Sequence, residues 1–354
     1  MVTTEVHRLI ADMQSGKIRA LSRAISWVES QTPQSSELLE KVYALAKAPW
    51  VIGITGVGGA GKSSLVPHMA KYFANQGHRV AVLAVDPSSP ISGGALLGDR
   101  IRDNGGQQHP NIFFRSVASR GGQGGLATCV SDLTRVVSTA GFDIVLIETV
   151  GAGQSELAIL NVAHTIVLIH APGLGDDIQA QKAGVMEIAD VLIVNKADKP
   201  GADDAVLMLQ QALLLSEKNA HMHEGLNQFT NLQAHWHPPV VSTIAIEGKG
   251  IVQACEQLQA HFAFMQLDGG YEKRNHVHVM KRMNDYIKQL VLERLAHQIQ
   301  APAVKIRMEK ELISDRHDPL GTARELADAF FPSQATHSEF SQLLRQSSQK
   351  EIAP

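Results

Sequence analysis

The apolar residues near the amino terminus of this chain recur at the spacing of a helix. Between residues 5 and 48 they form two groups, which are Ile18, Leu21, Ile25 and Val28, and Leu38, Leu39, Val42 and Leu45. This spacing places apolar side chains on one face of each helix. It predicts an N-terminal helical segment over residues 1–48, built from two or three helices.

From residue 50 to about residue 245, the pattern changes to short and nearly continuous apolar runs. They read VIGIT, RVAVLAVD, NIFFRSVA, DIVLIETV, TIVLIHA, VLIVN and PVVSTIA. Such runs are typical of parallel strands that helices cover on both faces of the sheet. Between them, SSLVPHMAKYFANQG and ADDAVLMLQQALLLSEKNA are long enough for crossover helices. We therefore predict an α/β domain over residues 49–265, with a doubly wound, mostly parallel sheet.

Beyond Gly270 the strand-like runs stop and helical spacing returns. One apolar stripe consists of Met280, Met283, Ile287, Leu290, Val291 and Leu295. A stripe of this kind usually packs into a helical core or along a seam between two copies of a chain. It predicts a C-terminal helical extension over residues 266–354, which we expect to act as a dimerisation arm of a homodimer.

The composition is that of a globular protein and limits the classes of partner. With 354 residues, 44% of them hydrophobic, and a net charge of -3, the chain has no overall basic field for nucleic acid or a membrane surface. Cys129 and Cys255 match no metal or disulfide spacing, which favours a reducing compartment. No stretch has the length of a membrane span. We expect a cytoplasmic protein that binds neither nucleic acid nor membranes.

A glycine-rich loop follows the first predicted strand in VIGITGVGGAGKSS, residues 51–64. Gly56, Gly61, Lys62 and Ser63 satisfy the pattern GxxxxGK[ST] between a strand and a helix, which is the context of a phosphate-binding loop. Backbone N–H groups and Lys62 would bind the phosphates, and the Ser63 hydroxyl would bind Mg²⁺. The predicted binding residues here are Gly58, Gly59, Ala60, Gly61, Lys62, Ser63 and Ser64.

The tetrad NKAD ends the run VLIVN and indicates which nucleotide base is bound. Asp198 can accept hydrogen bonds from guanine N1–H and N2–H₂, while Asn195 and Lys196 complete the tetrad. Adenine has an acceptor at N1, so it would leave the carboxylate unpaired. The sequence predicts GTP and GDP as ligands, with Ser242 and Ala245 of VSTIA as the second wall of the base pocket.

Acidic residues follow two further strands. Glu148 and Gly151 in ETVGAGQ form an ExxG element that is suited to sense the γ-phosphate, because Gly151 can present its backbone N–H there. Asp86 ends VAVLAVD, and Asp99 lies in a glycine-bearing loop. Mg²⁺ in such sites takes few protein oxygens beside phosphate and water, so Asp86, Asp99 and Glu148 are candidate metal residues together with Ser63.

Together, GVGGAGKSS, VDPSSPISGG, LGDR, ETVGAGQSE, PGLGDDIQAQKAGVMEIAD and NKAD resemble the methylmalonyl-CoA mutase-associated GTPases, the MeaB/ArgK family of P-loop proteins. The resemblance extends from about Gly16 to about residue 250. It implies phosphate and Mg²⁺ binding by Lys62 and Ser63, metal binding by Asp86 and Asp99, and a hydrolytic role for Glu148. It also places Asp176, Asp177 and Lys182 in a mobile loop, where Lys182 would pair with Glu148. Lys62, Glu148 and Lys182 are thus the expected catalytic residues.

The resemblance implies a Mg²⁺-dependent GTPase that gates cofactor loading into, and protects, an adenosylcobalamin-dependent acyl-CoA mutase, methylmalonyl-CoA mutase or a relative. Two alternatives stay open at this point. A phosphotransferase would pass the γ-phosphate to an acceptor. A metallochaperone GTPase would need metal ligands, for which the HxH pairs His221/His223, His235/His237 and His276/His278 are the candidates.

Overall fold

The computed structural model describes residues 2–86, 109–118, 125–149, 159–174, 188–220, 236–267, 269–313 and 318–330. Within these residues the strands are β1 (Trp50–Gly56), β2 (Val80–Asp86), β3 (Ile112–Ala118), β4 (Ile144–Glu148), β5 (Thr165–His170), β6 (Val191–Asn195) and β7 (Val240–Thr243). They form one sheet in the order β3-β2-β4-β1-β5-β6-β7. Every neighbouring pair is parallel. Each strand coincides with one of the seven apolar runs, so the predicted fold is confirmed.

Helices of the described chain precede, connect and follow these strands. They are α1 (Val2–Gln14), α2 (Ile18–Glu29), α3 (Pro33–Leu45), α4 (Lys62–Asn75), α5 (Gly125–Thr139), α6 (Ala202–Ala220), α7 (Ile251–Leu267), α8 (Gly270–Ile299), α9 (Pro302–Ile313) and α10 (Pro319–Phe330). Single 3₁₀ turns occupy Ile159–Asn161 and Ala245–Glu247. The two crossover helices that the sequence predicts correspond to α4 and α6.

The sheet separates two apolar cores, which explains why its central strands are nearly continuous apolar runs. Val51 of β1 packs with α1, α2, α3 and α5 on one face of the sheet. The next residue, Ile52, packs with α4 and α7 on the other face. Successive side chains of a strand point to opposite faces, so a strand covered on both sides needs apolar residues at every position.

The N-terminal helices bury the residues near their centres more than those at their ends. Leu21, Ile25 and Leu38 are almost completely buried in the core that includes α5. Ile18 begins α2 and Leu45 ends α3, and both are about half exposed. The helical spacing therefore identified the elements correctly, although the terminal apolar residue of each group lies outside the core.

A cluster of buried polar side chains lies at the amino edge of the sheet, opposite the end that carries the glycine loop. We call Thr165, Asp190, His261 and Arg274 the amino-edge cluster. Both guanidinium NH groups of Arg274 donate to Asp190, at 3.1 Å each. His261 bridges Asp190 Oδ1 at 3.1 Å and Thr165 Oγ1 at 3.0 Å. Burial alone would raise the pKa of Asp190, but Arg274 and His261 hold it below its usual value.

The first half of α8 is attached to the sheet domain by polar side chains along one face. Besides Arg274, Tyr271 donates to the Ala48 carbonyl at 2.8 Å. One turn beyond Arg274, His278 Nε2 lies 3.1 Å from the Leu160 carbonyl oxygen. Arg282 then donates through Nε to Asp132 at 2.9 Å. The contacts recur every three or four residues, as one face of a helix requires.

The apolar stripe of α8 is exposed in the single chain. Met280, Met283, Ile287, Leu290 and Val291 are between 41% and 55% exposed. The chain divides into two compact units between Arg282 and Met283, inside α8. In the second unit, Arg307 of α9 forms an ion pair with Glu325 of α10 at 2.6 Å. The division at residues 48 and 265 stays a prediction, as does the dimerisation arm.

None of the helices in the described ranges combines the length and the apolar character that crossing a membrane would take.

Candidate functional site

The glycine loop connects β1 to α4 at the carboxyl edge of the sheet. Gly56 ends β1 with a φ of +144°, and a Cβ atom there would meet the Ile169 carbonyl oxygen at 2.1 Å. β1 and β5 are thus packed too closely at this point for any side chain. Gly58 and Gly59 border open space, since a Cβ on either would meet nothing within 4 Å. The loop therefore packs closely against β5 at Gly56 and borders open space at Gly58 and Gly59. Phosphate binding requires such open space beside the backbone.

Gly61 provides the transition from the loop into α4. It has a left-handed backbone, with φ +94°, and no side chain caps the helix that it precedes. A Cβ at Gly61 would lie 2.2 Å from Asn195 Nδ2, which excludes other residues on packing grounds as well. The uncapped amino end of α4 keeps N–H groups and the positive end of the helix dipole available to an anion.

Lys62 is the first residue of α4 and lies buried inside the loop. Its ammonium donates to the Gly56 carbonyl at 2.7 Å and to the Val57 carbonyl at 3.1 Å. Only 7% of the residue is exposed. These two bonds hold the positive charge inside the loop, at the carboxyl end of β1.

Ser63 and Glu148 meet across the gap between α4 and β4. The Ser63 hydroxyl donates to Glu148 Oε1 at 2.5 Å. Asp86 ends the adjacent strand β2 and is completely buried. In the pairing of β2 with β4, Ala84 lies opposite Glu148, so Asp86 lies at the same edge of the sheet. This edge therefore carries hydroxyl and carboxylate oxygens, the ligands that Mg²⁺ prefers.

Asn195 links three segments of the site. Its amide Nδ2 donates to the Ala60 carbonyl at 2.9 Å. Its Oδ1 accepts from the Thr243 hydroxyl at 3.2 Å and from the Ala245 backbone N–H at 3.0 Å. The glycine loop, the NKAD tetrad and the segment after β7 are consequently held together by one buried side chain.

The rest of the tetrad forms a turn that is fastened to β7. Lys196 has a left-handed backbone, with φ +60°, which is uncommon for a residue other than glycine. Ala197 N–H donates to the Thr243 carbonyl at 3.0 Å. Asp198 lies 3.1 Å from Lys199 Nζ, and this hydrogen-bonded lysine lowers the pKa of Asp198 from its usual value. Asp198 is therefore ionised at neutral pH.

The second predicted wall of the base pocket takes Ser242 from β7 and Ala245 from the 3₁₀ turn that follows it. Ala245 is buried and bonded to Asn195, as described above. Ser242 is exposed, and the structure brings it into no hydrogen bond with the tetrad among the described contacts. Thr243, which the sequence reasoning missed, donates to Asn195 of the tetrad, and the place of Ser242 beside the base stays a prediction. The alternation of strand residues was the available signal, because Ser242 and Thr243 must point to opposite faces.

Several predicted site residues lie outside the described residues. They are Asp99, Gly151 and Lys182, together with Asp176 and Asp177 of the proposed mobile loop. Their roles stay predictions. The structure thus brings Lys62, Ser63, Glu148 and Asn195 together around the glycine loop, with Asp86 at the same edge.

Sequence comparison identifies the family. The model of the family described as "Methylmalonyl Co-A mutase-associated GTPase MeaB" matches residues 21–302. A Pyrococcus abyssi protein named as a GTPase is 40% identical over 296 residues, which cover 84% of this chain and 87% of that protein. The mouse protein named "Methylmalonic aciduria type A homolog, mitochondrial" is 30% identical over 342 residues, covering 92% of this chain and 79% of the mouse protein.

A solved structure agrees with the fold. The crystal structure of an LAO/AO transport system kinase matches with a TM-score of 0.62 and 24% sequence identity, and covers 92% of this chain and 98% of that one. The confirmed P-loop fold, the guanine tetrad and the relatives named as GTPases agree on GTP as the substrate and on hydrolysis as the reaction. The chain belongs to the family of methylmalonyl-CoA mutase-associated GTPases.

Proposed function

We propose that this GTPase uses Mg²⁺-dependent hydrolysis of GTP to gate cofactor loading into an adenosylcobalamin-dependent acyl-CoA mutase and to protect that enzyme. The observation that carries the proposal is the family match over residues 21–302, because that family is described as associated with methylmalonyl-CoA mutase. The name of the mouse relative, which refers to methylmalonic aciduria, points to the same metabolic context. Methylmalonyl-CoA mutase or a close relative is the client that we propose.

The residues at the carboxyl edge fit a Mg²⁺ ion. The Ser63 hydroxyl and the Glu148 carboxylate already converge at 2.5 Å, and Asp86 ends the neighbouring strand. All three supply hard oxygen ligands, and Mg²⁺ needs few of them beside phosphate and water. We propose that Ser63 holds the ion together with one or two of the three acids Asp86, Asp99 and Glu148. When bound, Mg²⁺ would offset negative charge on the β- and γ-phosphates.

The side chains around the loop have distinct proposed roles in hydrolysis. Lys62 would exchange its two carbonyl acceptors for phosphate oxygens and stabilise the charge that develops there. Glu148 would position the attacking water once the Ser63 hydroxyl no longer donates to the Glu148 carboxylate. The backbone N–H of Gly151 would sense the γ-phosphate. We propose that Lys182 pairs with Glu148 in one nucleotide state, and that the loop with Asp176 and Asp177 relays that state to the client. Turnover by the isolated protein is then slow, since the client completes the coupling.

The proposed assembly is a cytoplasmic homodimer that binds neither nucleic acid nor a membrane. The exposed stripe that includes Met283 and Ile287 on α8 supports a seam between two copies, because isolated apolar stripes of this kind are usually covered. The proposed dimerisation arm is the extension over residues 266–354.

Within the part of the chain that the structure describes, no contact favours the metallochaperone alternative. The pair His276/His278 lies on α8, where residues two apart face different directions, and His276 is exposed while His278 is buried. His237 is exposed. The remaining members of the HxH pairs, His221, His223 and His235, lie outside the described residues. Among the described residues, no group of three or more His, Cys, Asp or Glu side chains converges.

Phosphate release tests the proposal. GTP is supplied to the purified protein with Mg²⁺ or with EDTA, and with or without an adenosylcobalamin-dependent methylmalonyl-CoA mutase. We expect slow release with Mg²⁺ alone, no release with EDTA, and faster release with the mutase. Phosphate released without any acceptor also separates hydrolysis from phosphotransfer.

The variant Lys182→Ala tests the coupling. It is expected to bind GTP nearly as well as the wild type but to respond less to the mutase. A mutase that changes neither GTP affinity nor turnover would refute the chaperone role and leave the GTPase activity standing. A full response of Lys182→Ala would refute the proposed relay. A further experiment immobilises the protein with GDP or with a non-hydrolysable GTP analogue and exposes it to the mutase. The nucleotide that leads to more retained mutase identifies the state that binds the client.

A further inference from the structure

Lys199 follows the guanine tetrad and contacts the carboxylate on which base recognition depends. Its Nζ lies 3.1 Å from Asp198 Oδ2, and the two side chains are 62% and 27% exposed. The backbone supports this pairing, because Lys199 N–H donates to the Lys196 carbonyl at 3.0 Å and closes the turn around Asp198. The turn is itself fastened to β7 through Ala197 and Thr243. Asp198 and Lys199 are therefore held side by side.

Lys196 of the tetrad also acts electrostatically on Asp198, whereas Lys249 has a different carboxylate partner. Lys249 lies in the segment after β7, and its ammonium forms an ion pair with Glu247 at 2.6 Å. Lys249 thus carries the same charge on an adjacent segment, with a different acidic partner. Lys199 and Lys249 therefore serve as a matched pair for comparison, since Lys199 forms its ion pair with Asp198 and Lys249 forms its ion pair with Glu247.

Guanine and Lys199 need the same acceptor. Recognition of guanine by Asp198 uses both carboxylate oxygens, one for N1–H and one for N2–H₂. An ammonium group on Oδ2 donates to one of these oxygens. Guanine must therefore displace Lys199 or share the carboxylate with it.

Adenine experiences the opposite effect. It presents a lone pair at N1, which a bare carboxylate repels. A lysine that remains on Asp198 covers part of that negative charge and so reduces the repulsion. The same contact thus weakens guanine binding and moderates the rejection of adenine.

We propose that Lys199 sets nucleotide specificity by competing with the guanine base for Asp198. Its ammonium lowers both the affinity for guanine nucleotides and the discrimination against adenine nucleotides. This inference rests on the proposed role of Asp198 in base recognition, and it is independent of the client.

Binding of GDP and ADP to Lys199→Gln tests the inference. The affinities are measured by displacement of a fluorescent guanine nucleotide at low salt and again near 0.5 M salt, roughly where exposed pairs are screened. GDP binding is expected to tighten by about two- to fivefold, the range of exposed ion pairs. ADP binding is expected not to tighten, so that the preference for GDP over ADP rises. At high salt the difference between variant and wild type is expected to shrink.

Two further variants separate the explanations. Lys249→Gln removes the same charge but does not touch Asp198, so its preference for GDP over ADP is expected to equal that of the wild type. An equal rise in Lys249→Gln, or an unchanged or reduced preference in Lys199→Gln, would overturn the role of Lys199. Asp198→Asn is expected to favour xanthosine over guanosine diphosphate. If it does so while Lys199→Gln has no effect, base recognition by Asp198 survives and only the competition fails. An unchanged GDP preference in Asp198→Asn would refute both.

Discussion

Asn195 donates its side-chain amide to the Ala60 carbonyl across 2.9 Å, and this bond joins the base-reading end of β6 to the phosphate loop. The other end of the same amide accepts from Thr243 and Ala245. The base and phosphate parts of the site are consequently connected by the protein itself. Such connection reduces the ordering that binding would otherwise have to bring about.

Removal of the Asn195 side chain is expected to lower both the stability of the protein and its affinity for GTP. Asn195→Ala leaves the Ala60 carbonyl and the Ala245 N–H without their partner, and each buried unpaired group costs about 1–3 kcal/mol. We expect a lower free energy of unfolding in urea and GTP affinity that is weaker by about tenfold or more. Asn284→Ala, at an exposed position of α8, is the control. Unchanged GTP affinity in Asn195→Ala would show that the bonds of Asn195 between the base and phosphate parts of the site do not contribute to binding.

The loop lysine is expected to matter for chemistry more than for folding. Lys62→Ala removes the cation proposed to face the β- and γ-phosphates, so GTP turnover is expected to fall by about a hundred- to a thousandfold. Single-turnover phosphate release measures the loss. Lys71→Ala changes an exposed lysine of the same helix and is expected to keep wild-type turnover. If Lys62→Ala retained a tenth or more of the activity, its placement at the reacting phosphates would be wrong.

The amino-edge cluster is expected to be sensitive to the loss of one charge. Arg274→Gln leaves the buried Asp190 carboxylate without its guanidinium partner, and breaking a buried pair from one side costs about 3–5 kcal/mol. The free energy of unfolding in urea reports this loss. Lys273→Gln, at the exposed neighbouring position, serves as the comparison and is expected to change stability little. Equal stabilities of the two variants would show that the cluster contributes nothing.

Stability is expected to fall in mild acid because of two buried histidines. Burial lowers the pKa of His278 to about 4, and burial likewise lowers the pKa of His164 well below its ordinary value. An unfolded histidine titrates near pH 6.5, so between about pH 6.5 and 4 the unfolded chain binds more protons. The stabilising contribution is therefore full above pH 6.5 and is lost as the pH falls towards 4, by up to about 1.4 kcal/mol per pH unit for each ring.

Urea unfolding between pH 7 and pH 5 checks this expectation. His278→Gln removes one of the two rings and is expected to make the pH dependence shallower. His276→Gln changes an exposed histidine of the same helix and is expected to keep the wild-type slope. A slope that is the same in His278→Gln and the wild type would contradict the assignment.

The local parts of this structure were predictable, whereas its long-range contacts were not. The apolar runs mark all seven strands because the central strands are buried on both faces and the edge strands β3 and β7 are still partly covered. The glycine loop and the tetrad were recognisable because each is contiguous in sequence. The bond from Thr243 to Asn195 depends instead on the register between β6 and β7, which no short pattern encodes. Arg274 and Asp190 are 84 positions apart, so their pairing could not be inferred from spacing.

The contacts between the first half of α8 and the sheet domain determine where this GTPase could be joined to a different protein, in evolution or by gene fusion. A chain stopped at residue 265 would keep the whole glycine loop and the guanine tetrad. It would, however, lose Arg274 and Arg282 of α8, whose guanidinium groups pair with Asp190 and Asp132. A transferable unit therefore has to extend through Arg282, and C-terminal helices from a different protein could be exchanged only beyond that residue. The nucleotide-binding module of this protein is longer than its nucleotide-binding motifs.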